Sequence, residues 1–334
     1  MYSVKPLCST EADSARLIDF QNQLYKNDPF YRTSDPRTCI YENVLYMVQK
    51  NGEPVGFAAG IINPALNYNE EPAGCIGFVE CSNDTLAATM LFDTIEKWLL
   101  ERGKRWCIGP LNGDTWHSYR VSEPDDNHPF FLDNYHKPWY GDMFRKAGYE
   151  SAATYRSTIA PPQTDTAIRC NRFSSIFADR GIITRPISLE HFDEEVSGIH
   201  SLCISAFSNN FLYTPASRDE ILPMYQALKS VINPQFVMVC EDARNDLLAF
   251  IFCIDDLYNN KKKGLIIKTV AVKPVAKARG LGTYLVEKAH LLAGSQGYDY
   301  VIHALMHDQN ISTQIANESS AIHRRYTLFG KRLL

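Results

Sequence analysis

One order of local signals occurs twice along this chain, and that repetition limits the folds open to it. In the later part, an apolar run at 182–187 precedes two amphipathic stretches at 190–206 and 217–230. Ser217 is placed to cap the second stretch, and Pro223 to kink it. β-rich runs follow at 236–240, 247–254 and 265–272, then a helical pattern over 282–294 and a strand over 298–306. The earlier part gives a strand at 2–5, a helix over 9–25 and a hairpin of 44–49 with 55–62 around Asn51-Gly52. A strand at 74–81, a helix over 85–101 and a strand at 106–109 complete it. Equivalent elements sit roughly 190 residues apart, which predicts two copies of one mixed α/β unit. The run 152–160 reads as the closing strand of the first copy, Pro161-Pro162 breaks it, and helical spacing over 164–180 bridges the copies. The expected division is therefore 1–160, a bridge at 161–181, and 182–334.

A chain of 334 residues is long for a single core, which agrees with two units. A net charge of −4 argues against a general nucleic-acid or anionic-membrane binder. No run reaches the ~18 apolar residues of a membrane span, and the first residues hold no apolar signal core. A cytoplasmic protein is expected. The nine cysteines are scattered without a C-x-x-C, as in a reduced chain. The run Lys261-Lys262-Lys263 reads as a solvated hairpin tip.

The densest chemical signal is the loop before the 282–294 helix. A Val-rich strand stops at Pro274, and Lys277-Ala278-Arg279-Gly280-Leu281-Gly282 leads into the helix. Glycines let a backbone approach an anion closely, and a helix start offers free N–H groups and a positive dipole end. Lys277 and Arg279 add charge, and Thr283 a hydroxyl. This layout predicts a seat for a diphosphate.

The order of strand, hairpin, strand, Arg-Gly-x-Gly loop, helix and strand resembles the GNAT superfamily of N-acetyltransferases. That family carries Gln/Arg-x-x-Gly-x-Gly/Ala at this loop. Lys277 departs from the first position but keeps a cation there. The resemblance covers 182–334 well. It reaches 1–160 through element order and through Met143-Phe144-Arg145-Lys146-Ala147-Gly148-Tyr149, which is similar to a helix exit of the family. Gly109-Pro110-Leu111-Asn112 ahead of Trp116 is similar to tandem members of bacterial type. The fold implied is α/β (α+β mixed), with two tandem GNAT-like domains. Each would be a mostly antiparallel, splayed mixed sheet flanked by helices.

The resemblance also implies a chemistry. The co-substrate would be acetyl-CoA or another acyl-CoA, with amides of residues 279–283 cupping the pyrophosphate. The backbone of Val270, Ala271 and Val272 would pair with the pantetheine arm, and Asn310 and Asn317 compete to reach it. A nucleophilic amine, from a small molecule or a peptide, would attack. Tyr326, spaced from Gly330 like the family's tyrosine on its last helix, would protonate the thiolate. Asp255 and Asp256 end a strand on the acceptor side, and Asp256 is the candidate base; an amine already deprotonated needs none. The segment 207–218 stands where an acceptor loop would be. In the first copy Ser82-Asn83-Asp84-Thr85 has neither glycine nor cation, and Phe144 replaces the tyrosine. That copy is expected to shape the acceptor cleft rather than hold a donor. The alternative is a non-catalytic acyl-CoA-binding or sensor protein. An aminoacyl-transferase with paired GNAT-like domains would favour a basic groove and a helical arm, and this chain shows neither. His303 and His307 lack a completing Glu or Cys, so a metal site is not expected. In Trp116-His117-Ser118-Tyr119, adjacency of Ser and His makes no triad.

Overall fold

A computed structural model describes the chain except for Ser9, Arg32, Ser34, Asp126 and residues 310–319. The first half runs β1 (Tyr2–Pro6), α1 (Glu11–Leu24), β2 (Glu42–Lys50), β3 (Glu53–Ile62), β4 (Asn67–Tyr68), β5 (Glu71–Cys81), α2 (Thr85–Leu100), β6 (Trp106–Gly109), β7 (Val121–Ser122), α3 (Tyr140–Lys146) and β8 (Glu150–Ala160). The helix α4 (Ala167–Asp179) follows, its Cys170 and Phe177 buried in the core of the second half. The second half runs β9 (Ile183–Pro186), α5 (Phe192–Phe207), α6 (Arg218–Gln226), β10 (Val237–Glu241), β11 (Leu247–Asp255), β12 (Gly264–Val272), α7 (Leu281–Ser295), β13 (Tyr300–His307) and β14 (Ala321–Arg332).

The fourteen strands of the described residues belong to one sheet, ordered β1-β2-β3-β5-β6-β14-β8-β13-β12-β11-β10-β9, with β4 and β7 paired to β5 and β14. Pairing is antiparallel except between β5 and β6 and between β12 and β13. The repeat read in the sequence is therefore present, one parallel pair to each half. The closing strands are exchanged. β8, from the first half, pairs with β13 of the second. β14, from the end of the chain, pairs with β6 of the first, and β8 and β14 pair with each other.

Helical periodicity explains the layers. On α2, Ala88, Leu91, Phe92, Ile95 and Leu99 face the first half of the sheet. On α7, Leu281, Leu285, Val286 and Ala289 meet Ile251, Cys253 and Ile267. α5 packs on the other face of the second half, with Phe192, Val196 and Ile199 against Phe250, Ile266 and Ile302. Ser217 and Glu220 close a capping box at the start of α6, and Pro223 lies inside that short helix. Seven of the nine cysteines are buried, and all nine are free. Among the described residues no helix is long and apolar enough to cross a membrane.

Candidate functional site

The parallel ladder between β12 and β13 runs only from Gly264↔Tyr300 to Ile267↔His303. Beyond it the strands part. On its outer edge β12 stays paired with β11 as far as Val272. Its inner edge past Ile267 has no strand partner among the described residues. A bulge falls at Lys268, where Phe252 pairs with Thr269 and Cys253 with Ile267. Across the gap, Leu305 takes φ +59. Its N–H donates to Ser157 Oγ at 2.9 Å and its carbonyl accepts from Arg120 at 3.2 Å. A cavity of about 860 Å³ fills this parting. Its walls are 267–270 of β12, 303–307 of β13, the loops 115–120 and 131–134 from the first half, and side chains of α5 and α6.

α7 starts beside the outer end of this gap. Gly280 takes φ +93, and no side chain caps the helix. The first-turn amides of α7 have no intrahelical acceptors and stay available. Gly282 lets the helix start lie against β12, for a Cβ there would stand 3.2 Å from Val272. Val270 lines the cavity, while Ala271 turns its methyl into the core under α5. Lys277 is paired with Asp242 and Arg279 is exposed. Of the two loop cations, one already has a counter-charge.

The corresponding places in the first half are filled by the chain itself. β5 and β6 pair from Ala73↔Trp106 to Cys75↔Ile108 and then part. Leu111 N–H donates to the Ile76 carbonyl at 2.9 Å, and Asn112 Oδ1 accepts from Phe78 N–H at 2.8 Å. At the helix start, Asp84 caps α2 and is held by Tyr2 at 2.6 Å and Lys50 at 3.0 Å. A carboxylate thus sits where α7 keeps open amides.

The first half supplies polar groups to the cavity. Asp114, fully buried, accepts from the N–H groups of Trp116 and His117 and holds His117 Nδ1 at 2.9 Å. The hydrogen bond to Asp114 raises the His117 pKa, against the pull of burial. Trp116 Nε1 donates to the Thr214 carbonyl at 3.1 Å, tying this loop to the second half. Asp133 accepts from Tyr326 at 2.7 Å and faces Arg324 at 3.1 Å. Lys268 donates to the Leu132 carbonyl at 2.9 Å. Burial, and then Arg120, lower the Lys268 pKa to about 7, against the pull of Asp133.

Several expected residues stand differently. Tyr326 lies on strand β14, not on a helix, because the end of the chain threads the centre of the sheet between β6 and β8. Its ring is buried outside the cavity wall. Its hydroxyl is held by Asp133 and by Ser157 at 3.2 Å, and burial, then Asp133, raise its pKa well above 10.0. Asp256 also lies outside the wall. It accepts from Phe131 N–H at 2.9 Å, Tyr258 N–H at 3.2 Å and Tyr300 OH at 2.8 Å, so it pins the 131–134 loop across the halves. Asp255 accepts from Tyr298 at 2.6 Å. Asn310 and Asn317 lie outside the described residues. Among the described residues no metal-holding cluster occurs. His303 instead faces His290, with their Nε2 atoms 2.9 Å apart.

The His117–Asp114 pair escaped the sequence reading. The spacing Asp114-x-x-His117 was its signal, overshadowed by the adjacent serine. Arg120 had no local signal, because Tyr155 and Tyr326, whose rings it faces, come from distant strands.

No family model matches the chain. It is 23% identical over 376 residues to a bacterial ceramide synthase of Caulobacter vibrioides, covering 99% of this chain and 97% of that one. A tandem GNAT protein from the clavulanic acid biosynthesis pathway superposes at a TM-score of 0.55 with 9% identity, over 100% of this chain and 99% of the other. The fold is that of a tandem GNAT protein. A GCN5-related glucosamine N-acetyltransferase region of a fungal multi-domain β-N-acetylglucosaminidase shares it at a TM-score of 0.58 and 14% identity. That match covers 99% of this chain but only 38% of the larger fungal one. In tandem GNAT terms, the open gap belongs to the second repeat and the self-filled gap to the first.

Proposed function

We propose that this chain is an acyl-CoA-dependent N-acyltransferase, with the donor in the gap of the second repeat. The observation that carries this reading is the unpaired inner edge of β12 beyond Ile267, which leads to an uncapped helix start. Such an edge suits an amide-bearing arm, and the amides of residues 280–283 suit a diphosphate. In the first repeat Leu111, Asn112 and Asp84 occupy the matching positions, so we assign it no donor. Its loops build the acceptor wall instead.

The acyl group we favour is a long chain rather than acetyl. The cavity of about 860 Å³ takes the donor's arm and the acceptor as well as the acyl group, and its Phe207, Phe211, Tyr225 and Phe252 lining suits an apolar chain. The kinship with a ceramide synthase points the same way, since a ceramide is an amide of a long-chain acyl group.

His117 is the base in this reading, with Asp114 fixing its ring so that Nε2 is free. The acceptor ammonium gives one proton to His117 and thence to solvent. The free amine attacks the thioester carbonyl carbon. The C–N bond forms, the C–S bond breaks, and a second nitrogen proton ends on the departing sulfur. Incubating the purified protein with palmitoyl-CoA or acetyl-CoA and a panel of amines tests it. Amine-dependent thiol release, with an amide found by mass spectrometry, is expected with the long donor. Tight CoA binding without turnover on any amine would instead make this the non-catalytic acyl-CoA-binding protein.

A further inference from the structure

Two basic side chains stand at the cavity wall, and neither makes an ion pair among the described residues. Arg120 is 5% exposed, yet it makes no ion pair among the described residues. Its guanidinium lies 4.0 Å from the centroid of the Tyr119 ring and 4.3 Å from that of Tyr155. One nitrogen donates to the Leu305 carbonyl, while Nε is buried with no partner. The backbone there takes φ +67, a conformation a long side chain rarely adopts. Lys268, pushed into the cavity by the β12 bulge, has one hydrogen bond, to the Leu132 carbonyl, and likewise no ion pair.

The nearby carboxylates are bound to other partners, although Asp133 still attracts Lys268. Asp133 is held by Arg324 and Tyr326, and Asp114 by His117 and Tyr41 at 2.7 Å. His303 supplies no charge, since burial and then His290 hold its pKa down to about 3. Burial and Arg120 disfavour the charged form of Lys268, and an anion arriving beside the two side chains favours that form. Tyrosine rings hold the guanidinium in place without neutralising it.

We propose that Arg120 and Lys268 form a binding site for an acidic group, a carboxylate or phosphate, on the amine acceptor. The acceptor is then an amino acid or a similar amino-acidic compound rather than a neutral amino alcohol. This inference rests on reading the cavity as the acyltransferase site. It places the acidic group between β12 and the 115–120 loop, on the side of the cavity shared with His117.

The test uses two product-like probes, N-dodecanoylglycine and N-dodecanoylethanolamine, which differ by the carboxylate. Their binding to the full chain is measured by calorimetry, beside that of CoA. We expect the glycine amide to bind at least tenfold more tightly, and that preference to fall to within about twofold in Arg120→Gln and Lys268→Met. CoA affinity should be retained in both variants. If Arg120→Gln does not fold, Lys268→Met alone must lose the preference. Equal binding of the two probes to the unmodified chain would overturn the proposal, as would a preference that survives Lys268→Met. If CoA itself fails to bind the unmodified chain, the transferase reading fails instead, which keeps the two failures apart.

Discussion

Asp114 Oδ1 lies 2.9 Å from Nδ1 of His117, and the same oxygen accepts the backbone N–H groups of Trp116 and His117. The carboxylate thus fixes both the ring and the loop that carries it. A histidine so held keeps its proton to a higher pH than the ordinary 6.5. As a base it must be deprotonated, so kcat/KM should rise with pH through a midpoint above 6.5. Asp114→Asn should move that midpoint down. His117→Gln should cut kcat by roughly 100-fold or more. A pH profile unchanged by Asp114→Asn would remove His117 from the mechanism.

Gly280 and Gly282 argue for the donor seat on geometric grounds. A β-branched residue at Gly280 would be forced to φ +93, and a side chain at Gly282 would press on Val272 and Val270. Gly280→Val and Gly282→Phe should each abolish CoA binding in calorimetry, with folded far-UV circular dichroism kept and the thermal midpoint lowered. Changing Ser82 or Asn83 in the first repeat should leave CoA binding intact. The reverse pattern would assign the donor to the wrong repeat.

His290 and His303 give an acid-stability prediction. Gln163 N–H donates to His290 Nδ1 at 3.2 Å, so the neutral His290 carries its proton on Nε2 and donates to His303 Nε2. Burial lowers their pKa values to about 4 and about 3. The unfolded chain protonates near 6.5 and the folded chain does not, so lowering the pH through 6.5 favours unfolding. Each histidine should remove about 1.4 kcal/mol per pH unit from there down to its folded pKa. Urea midpoints measured between pH 7 and 5 should fall, and fall less in a His290→Phe, His303→Leu double variant.

These sites differ in how far the sequence disclosed them. The Asn51-Gly52 hairpin, the α2 and α7 helices and the loop at Gly280 are local patterns, and local patterns read directly from periodicity and turn chemistry. The β14 strand was not readable as such. Its Arg-Tyr-Thr-Leu-Phe-Gly string matches a helix exit, and only burial on both faces between β6 and β8 makes it extended. Asp256 reads as a free strand-end base because its donors, Phe131 and Tyr300, lie far away in the chain. Arg120 needed the same non-local information, since its cage joins residues 119, 155 and 326.

The exchange of β8 and β14 makes a last prediction about the two repeats. Cut at the Pro161-Pro162 break, residues 1–160 keep β1 to β6 but lose β14, the neighbour that pairs Phe329↔Gly109 through Arg332↔Trp106. The same fragment strands β8, whose partners β13 and β14 both lie in 161–334. Each fragment would thus expose long unpaired edges at the former centre of the sheet, where Tyr326, Leu328 and Phe329 are buried. Produced singly, both fragments should aggregate or remain unfolded by circular dichroism. Produced together, they should assemble one-to-one and recover CoA binding. If 161–334 alone were soluble, cooperative in its melting and able to bind CoA, the exchanged strands would be ornamental and the repeats independent domains.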